Sequence, residues 1–141
     1  MIGRVVFDTS TVVSAALRPD SIPYQALHRA LRYCDVCASK ETLAELKRVL
    51  AKDKFRRYIP DGAARQFVRM MENNVRLFVV RDLECLAANP PCRDPADNKF
   101  LALAFECDAD AIVSCDEDLL VLHPWDEIRI LRPAEFLNED Q

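Results

Sequence analysis

Residues 4 to 17 read Arg-Val-Val-Phe-Asp-Thr-Ser-Thr-Val-Val-Ser-Ala-Ala-Leu. Arg4 to Asp8 is a short, nearly continuous apolar run closed by an acid, the pattern of a strand buried on both faces of a parallel sheet. Thr9 to Leu17 follows as a helix, and the same alternation continues down the chain. Ser21, with Pro23 just inside, opens a second helix whose apolar positions Tyr24, Leu27 and Leu31 keep the helical period to about Tyr33. Val36 to Ala38 reads as a strand, and Ser39 or Thr42 caps a helix with the stripe Leu43, Leu46 and Leu50. A helix from Asp61 to Asn74 turns Phe67, Val68 and Met71 inward, and a strand is expected at Leu77 to Val80. After a loop holding Pro90 and Pro91, Asp94-Pro95-Ala96-Asp97 starts a helix that runs to about Glu106. Strands at Ala111 to Cys115 and Ile128 to Leu131 and a short helix around Ala134 to Leu137 complete the pattern, with Asn138 to Gln141 expected to fray. The alternation predicts an α/β fold, a parallel sheet covered by helices on both sides.

With 141 residues, half of them apolar, the chain can bury a full core as one domain, residues 1–141, without disulfides or a structural metal. The N-terminal apolar stretch is far too short for a signal peptide, and no run approaches the roughly 20 residues that span a bilayer. The expectation is a cytoplasmic protein without membrane association. Its six cysteines, Cys34, Cys37, Cys85, Cys92, Cys107 and Cys115, are then free thiols. Cys34 and Cys37 form a lone CxxC with no second pair and no His at finger spacing, which argues against zinc.

The net charge of −4 hides a strong polarisation, because residues 47 to 69 carry eight Lys/Arg against Asp53 and Asp61 and leave −10 elsewhere. Such a basic stripe can attract a phosphate backbone whatever the overall sign. Lys47, Arg48, Lys52, Lys54, Arg56 and Arg57 are the candidate contacts to such a backbone, against the plainer reading of a solvated helical face.

Two strands end in acids. In an open parallel sheet the ligand crevice lies beyond the carboxyl ends of the strands, where strand order reverses. If the first and fourth strands are neighbours, Asp8 and Asp116 share that crevice. Asp97 has Phe100, Leu101 and Ala104 as same-face neighbours and so points toward the sheet, while Glu45 borders the apolar face of its helix. Each acid alone has a bland reading: Asp8 in an Asx-turn, Glu45 as the far half of a Thr42 capping box, Asp97 at a helix dipole, Asp116 as a cap. Together they form an all-oxygen set suited to Mg²⁺ or Mn²⁺ rather than zinc. Such an ion polarises a phosphoryl oxygen and generates hydroxide at neutral pH, with a second ion or Lys99 offsetting charge on the leaving oxygen. Asp94 and Asp118 are candidates for supporting these ligands or for capping.

The stretches Val-Val-Phe-Asp-Thr-Ser-Thr-Val-Val-Ser-Ala (5–15), Glu-Thr-Leu-Ala-Glu-Leu (41–46), Arg-Asp-Pro-Ala-Asp-Asn-Lys-Phe-Leu-Ala-Leu-Ala (93–104) and Ala-Asp-Ala-Ile-Val-Ser-Cys-Asp-Glu-Asp-Leu-Leu (109–120) together resemble PIN-domain proteins. They are similar above all to the VapC-like toxin components of prokaryotic toxin-antitoxin pairs. The resemblance implies a three-layer α/β/α domain with strand order 3-2-1-4-5 and a Mg²⁺- or Mn²⁺-dependent endoribonuclease activity. It also implies a homodimer or higher homo-oligomer, inhibition by a small antitoxin protein, and metal-binding catalytic acids at Asp8, Glu45, Asp97 and Asp116. Two positions depart from the family pattern. Ser10 stands where relatives commonly have Asn and can still orient Asp8. Ser114-Cys115-Asp116 replaces the frequent Thr-Gly-Asp, which puts a side chain where phosphate should approach.

Other readings compete. A haloacid-dehalogenase-type phosphatase needs a second Asp two residues after the first, where this chain has Ser10. A receiver domain usually adds an adjacent acid pair near its first strand, and only Asp8 is there. The more serious rival is a catalytically weak PIN-like module that binds RNA or protein. His28 and His123 lack a paired nucleophile. Trp125 reads as a core or edge-covering ring, and Arg93 as a tie for its own loop.

Overall fold

The computed structural model describes residues 2–81 and 91–139. Cys85, Pro90, Asp140 and Gln141 lie outside the described residues, as does the side chain of Asp61. Strands β1 (Arg4–Phe7), β2 (Asp35–Ala38), β3 (Arg76–Leu77), β4 (Ala111–Val113) and β5 (Arg129–Leu131) form a wholly parallel sheet in the order β3-β2-β1-β4-β5. Val5 pairs with Val36 on one side and Ala111 on the other. The two-residue period of each strand sends neighbours to opposite faces, and both faces are apolar.

Val5, Phe7, Val36, Ala111 and Val113 face one layer of helices. That layer contains α1 (Thr9–Leu17), α2 (Ile22–Tyr33), α3 (Lys40–Leu50), α5 (Asp61–Asn74) and the C-terminal α8 (Pro133–Leu137). Val6, Cys37, Ile112 and Ile130 face the other layer, built from α6 (Asn98–Glu106), α7 (Glu117–Leu120) and Trp125. The fold is therefore the expected three-layer α/β/α arrangement. Trp125 is only 1% exposed and bridges to Ile128, so it belongs to the core and not to a stacking surface.

Local signals explain most boundaries. Asp8, Ser21 and Ser39 each cap a helix through the side chain, a contribution of about 1 kcal/mol apiece. Ser39 and Thr42 form the capping box of α3, so Glu45 takes no part in one. The expected helix at Asp94 opens as a tight 3₁₀ turn, Pro95–Asp97, before α6 begins.

Several expectations need correction. The ladder at β3 covers Arg76–Leu77, not Leu77 to Val80, because pairing at this sheet edge stops after Ala38 meets Leu77. β4 stops at Val113, two residues before the expected end; the Ser114 amide makes the last bond to β5, at Leu131 O (2.9 Å), and the Asp116 amide turns back to the Ser114 hydroxyl. The short helix α4 (Asp53–Arg56) was not expected, since four residues show no readable period, whereas α7 is the helical turn that the capping reading of Asp116 places after it. Glu139, expected to fray, is held by Arg129. Among the described residues no helix is long and apolar enough to cross a membrane.

Candidate functional site

The chain walks outward from β1 through β2 to β3, then returns to the other side of β1 for β4 and β5. The reversal lies between β1 and β4, and the crevice beyond their carboxyl ends is where this topology receives ligands. Asp8 follows β1 directly, and Asp116 comes three residues after Val113. An open cleft of about 400 Å³ lies here, with Ser10, Glu45, Lys54, Asp94, Asp97 and Asp116 among its walls.

Asp8 lies just behind that wall and is only 2% exposed. Its Oδ1 accepts from the Thr11 amide (3.1 Å), and its Oδ2 accepts from the hydroxyls of Ser114 (2.6 Å) and Ser10 (3.3 Å). Burial pushes its carboxyl up, opposed by these donors. The Thr11 hydroxyl is buried nearby without a partner of normal hydrogen-bond geometry. Ser114 binds twice, because its oxygen also accepts from the Asp116 amide (2.9 Å). Ser114, in the place of the frequent Thr, is thus a clasp between the two strand-end acids, and Cys115, the side chain in the place of glycine, is exposed.

Asp97 and Asp116 meet across the cleft. Partial burial, contact with the Asp116 carboxyl and the charges of Asp116, Asp94 and Asp8 push Asp97 up to about 7. Asp116 also caps α7, its Oδ1 accepting from the Asp118 amide (2.9 Å). Asp94 caps the 3₁₀ turn through the Ala96 amide (3.0 Å) and lines the cleft. Asp118 stands off the wall, 4.0 Å from the largely exposed Arg93. Glu45 reaches the cleft from α3 and is paired with Lys99 of α6, so Lys99 is engaged by an acid instead of standing free. Of the expected backbone contacts only Lys54 lines this cleft; Lys47 and Arg56 turn to another groove.

Two residues near the acids gave no signal. Cys92 is buried with its sulfur 4.0 Å from Asp97 Oδ2, and its amide donates to Asn98 Oδ1 (2.7 Å). Only the position of Asn98 beside Asp97 could have suggested it. The two histidines are structural: His28 stacks on Tyr24, and His123 Nδ1 accepts from the Ile130 amide (2.8 Å).

The donors are hard carboxylate oxygens that crowd one another, which suits Mg²⁺ or Mn²⁺. Among the described residues no three of Asp, Glu, His and Cys are arranged to hold an ion as they stand; the acids are bonded instead to hydroxyls, amides and Lys99. The chemistry of the set fits a hard dication, and its ligation would displace some of these partners.

The crowding has a pH signature. Below pH 4 or so Asp97 is protonated whether the chain is folded or not, and from the ordinary 3.8 up to about 7 only the folded chain keeps the proton. Without metal, stability therefore falls across this window, and the penalty persists above it. Asp97→Asn removes the penalty. In EDTA the melting temperature of this variant should gain on the wild type steadily from pH 4 to 7; a constant difference would show that Asp97 ionises freely when folded.

A parallel α/β/α sandwich with acids from four separate segments around its switch crevice defines a narrow class of folds. The chain belongs to the PIN-domain family, whose PIN domain model matches residues 4–118. Protein MJ1680 of Methanocaldococcus jannaschii is 26% identical over 154 residues, covering 96% of this chain and 90% of its own. VapBC2 from Rickettsia felis, solved bound to a DNA fragment from its promoter, superimposes with a TM-score of 0.63 at 14% identity, covering 92% of this chain and 97% of that one. Mycobacterium tuberculosis VapC20, described as a Sarcin-Ricin loop cleaving toxin, does so with a TM-score of 0.58 at 18% identity, covering 89% and 98%.

Proposed function

We propose that this PIN domain, taken as one unit over residues 1–141, is a Mg²⁺- or Mn²⁺-dependent endoribonuclease in which Asp8, Glu45, Asp97 and Asp116 hold the metal. The observation that carries the reading is the gathering of Glu45, Asp97 and Asp116 in one cleft with Asp8 just behind it, where burial first and then the neighbouring Asp116 carboxyl push Asp97 up to about 7. Like charges are gathered at this cost where a cation is to be bound. A bound dication would supply a polarised phosphoryl oxygen and hydroxide at neutral pH. The chain's own residues do the positioning. Ser114 and Ser10 fix the rotamer of Asp8, the Ser114 hydroxyl also holds the Asp116 amide, and Glu45 keeps the Lys99 ammonium at the cleft. Asp94 adds negative charge at the rim, and Asp118 steadies the turn after Asp116.

Likeness to VapBC2 and VapC20 supports a role as the toxin of a toxin-antitoxin pair with a small antitoxin as partner, and a homodimer or larger assembly is the working form we propose. The same likeness supports action in the cytoplasm. One observation favours the rival reading, a weakly catalytic module that binds RNA or protein: Glu45 is already neutralised by Lys99.

A single assay separates them. Purified protein should cut RNA with Mn²⁺ or Mg²⁺ and stop in EDTA, and metal at about 100 times its Kd should add roughly 2.7 kcal/mol to the folded state. RNA bound but uncut, with a melting curve indifferent to Mn²⁺, would favour the rival.

A further inference from the structure

A second depression, of about 430 Å³, lies between α3 and α5, with Leu50 and Val68 buried beneath it and Lys47, Arg56, Arg65 and Arg69 exposed around it. Among its described lining residues Glu72 is the single acid and none is aromatic. Arg65 and Arg69 are one helical turn apart and so project from the same side of α5.

The groove and the acid cleft are back to back on α3. At about 100° per residue, Glu45 and Val49 point to the cleft while Lys47 and Ala51 point to the groove. The short α4 joins them, giving Lys54 to the cleft and Arg56 to the groove.

The cleft presents Glu45, Asp94, Asp97 and Asp116 and repels a polyanion. Any long RNA with its scissile link there needs attraction from elsewhere, and phosphate contacts supply most non-specific affinity. We propose that the α3–α5 groove anchors the sugar-phosphate backbone of the RNA beyond the scissile link, with the strand passing around the C-terminal end of α3. The identity of the ligand rests on the ribonuclease reading. Without rings for bases to stack on, the contacts go to phosphates and carry no sequence preference. An acidic peptide would also meet the cations. The arginine and lysine stems, however, can cover the apolar floor themselves, and the shared α4 corner gives the groove continuity with the cleft.

The test is binding of a fluorescent 20-nucleotide RNA in EDTA, so that no turnover is needed. Arg65→Gln with Arg69→Gln should weaken binding about tenfold and lower the salt slope by about 1.4, at roughly 0.7 per lost contact. Arg32→Gln with Lys40→Gln removes the same net charge from exposed positions elsewhere and should change affinity by less than about twofold. Circular dichroism checks that all variants fold. Equal losses in both pairs, or no RNA binding by the wild type, overturn the proposal, as does a polyglutamate peptide that binds the wild type more tightly than RNA and loses binding in the Arg65/Arg69 pair. Failure of the ribonuclease reading is seen separately, as RNA bound in EDTA and left intact with Mn²⁺.

Discussion

Asp97→Asn and Asp8→Asn are each expected to lower kcat/KM for RNA cleavage by at least about a thousandfold, equivalent to roughly 4 kcal/mol of transition-state stabilisation, while both variants fold. The two losses have different structural contexts. Asp97 keeps its proton to about 7 because of burial and the surrounding acids, so an amide of the same shape relieves repulsion and removes an anionic ligand. The metal-free Asp97 variant should thus be the more stable protein at neutral pH and the inactive one. Asp8 is the N-cap of α1, and Asn caps about as well as Asp. Ser114 can turn its hydroxyl to suit an amide, so the cost there falls on the charge and not on the helix. Cleavage by either variant at wild-type rate with Mn²⁺ would remove that acid from the site. Loss of cooperative melting would instead assign it a structural role.

Trp125→Ala is expected to destabilise the fold by about 3–5 kcal/mol, the usual range for deleting a large buried ring. The ring is 1% exposed, packed with Leu119, Ile128 and Ile130 in the layer opposite α1. For a chain of this size the melting midpoint should drop by about 10–15 °C. Below the new midpoint the variant should bind RNA like the wild type, because the ring meets no surface. A near-normal midpoint with impaired binding would reverse that assignment and make the indole a ligand contact.

The sheet was legible because its strands are buried on both sides. Val5 and Val6 face different layers, so Arg4 to Asp8 could be read as a central strand without knowing its partners. The acids were legible for a related reason. Asp8 and Asp116 interrupt apolar runs, and Asp97 shares a helix face with Phe100 and Leu101. What escaped depends on contacts between distant segments. Nothing in the local pattern pairs Lys99 with Glu45, 54 positions away. Ser114 stands where the family has Thr and gave no sign of a partner, and only the pairing of β1 with β4 puts its hydroxyl 2.6 Å from Asp8. The basic segment read as one stripe because charge runs say nothing about direction. Lys54 and Arg56, two positions apart on α4, face opposite ways, one to the cleft and one to the groove.

The seam between β1 and β4 is fastened at both ends: Asp110 Oδ2 accepts from the amides of Gly3 (2.8 Å) and Arg4 (3.0 Å) at the bottom, and Asp8 receives the Ser114 hydroxyl at the top. Strands only three or four residues long would otherwise be free to splay at the junction that bounds the crevice. Because this order is established as the chain folds, an arriving ligand finds the floor of the crevice already set, and little conformational entropy is left to lose there on association.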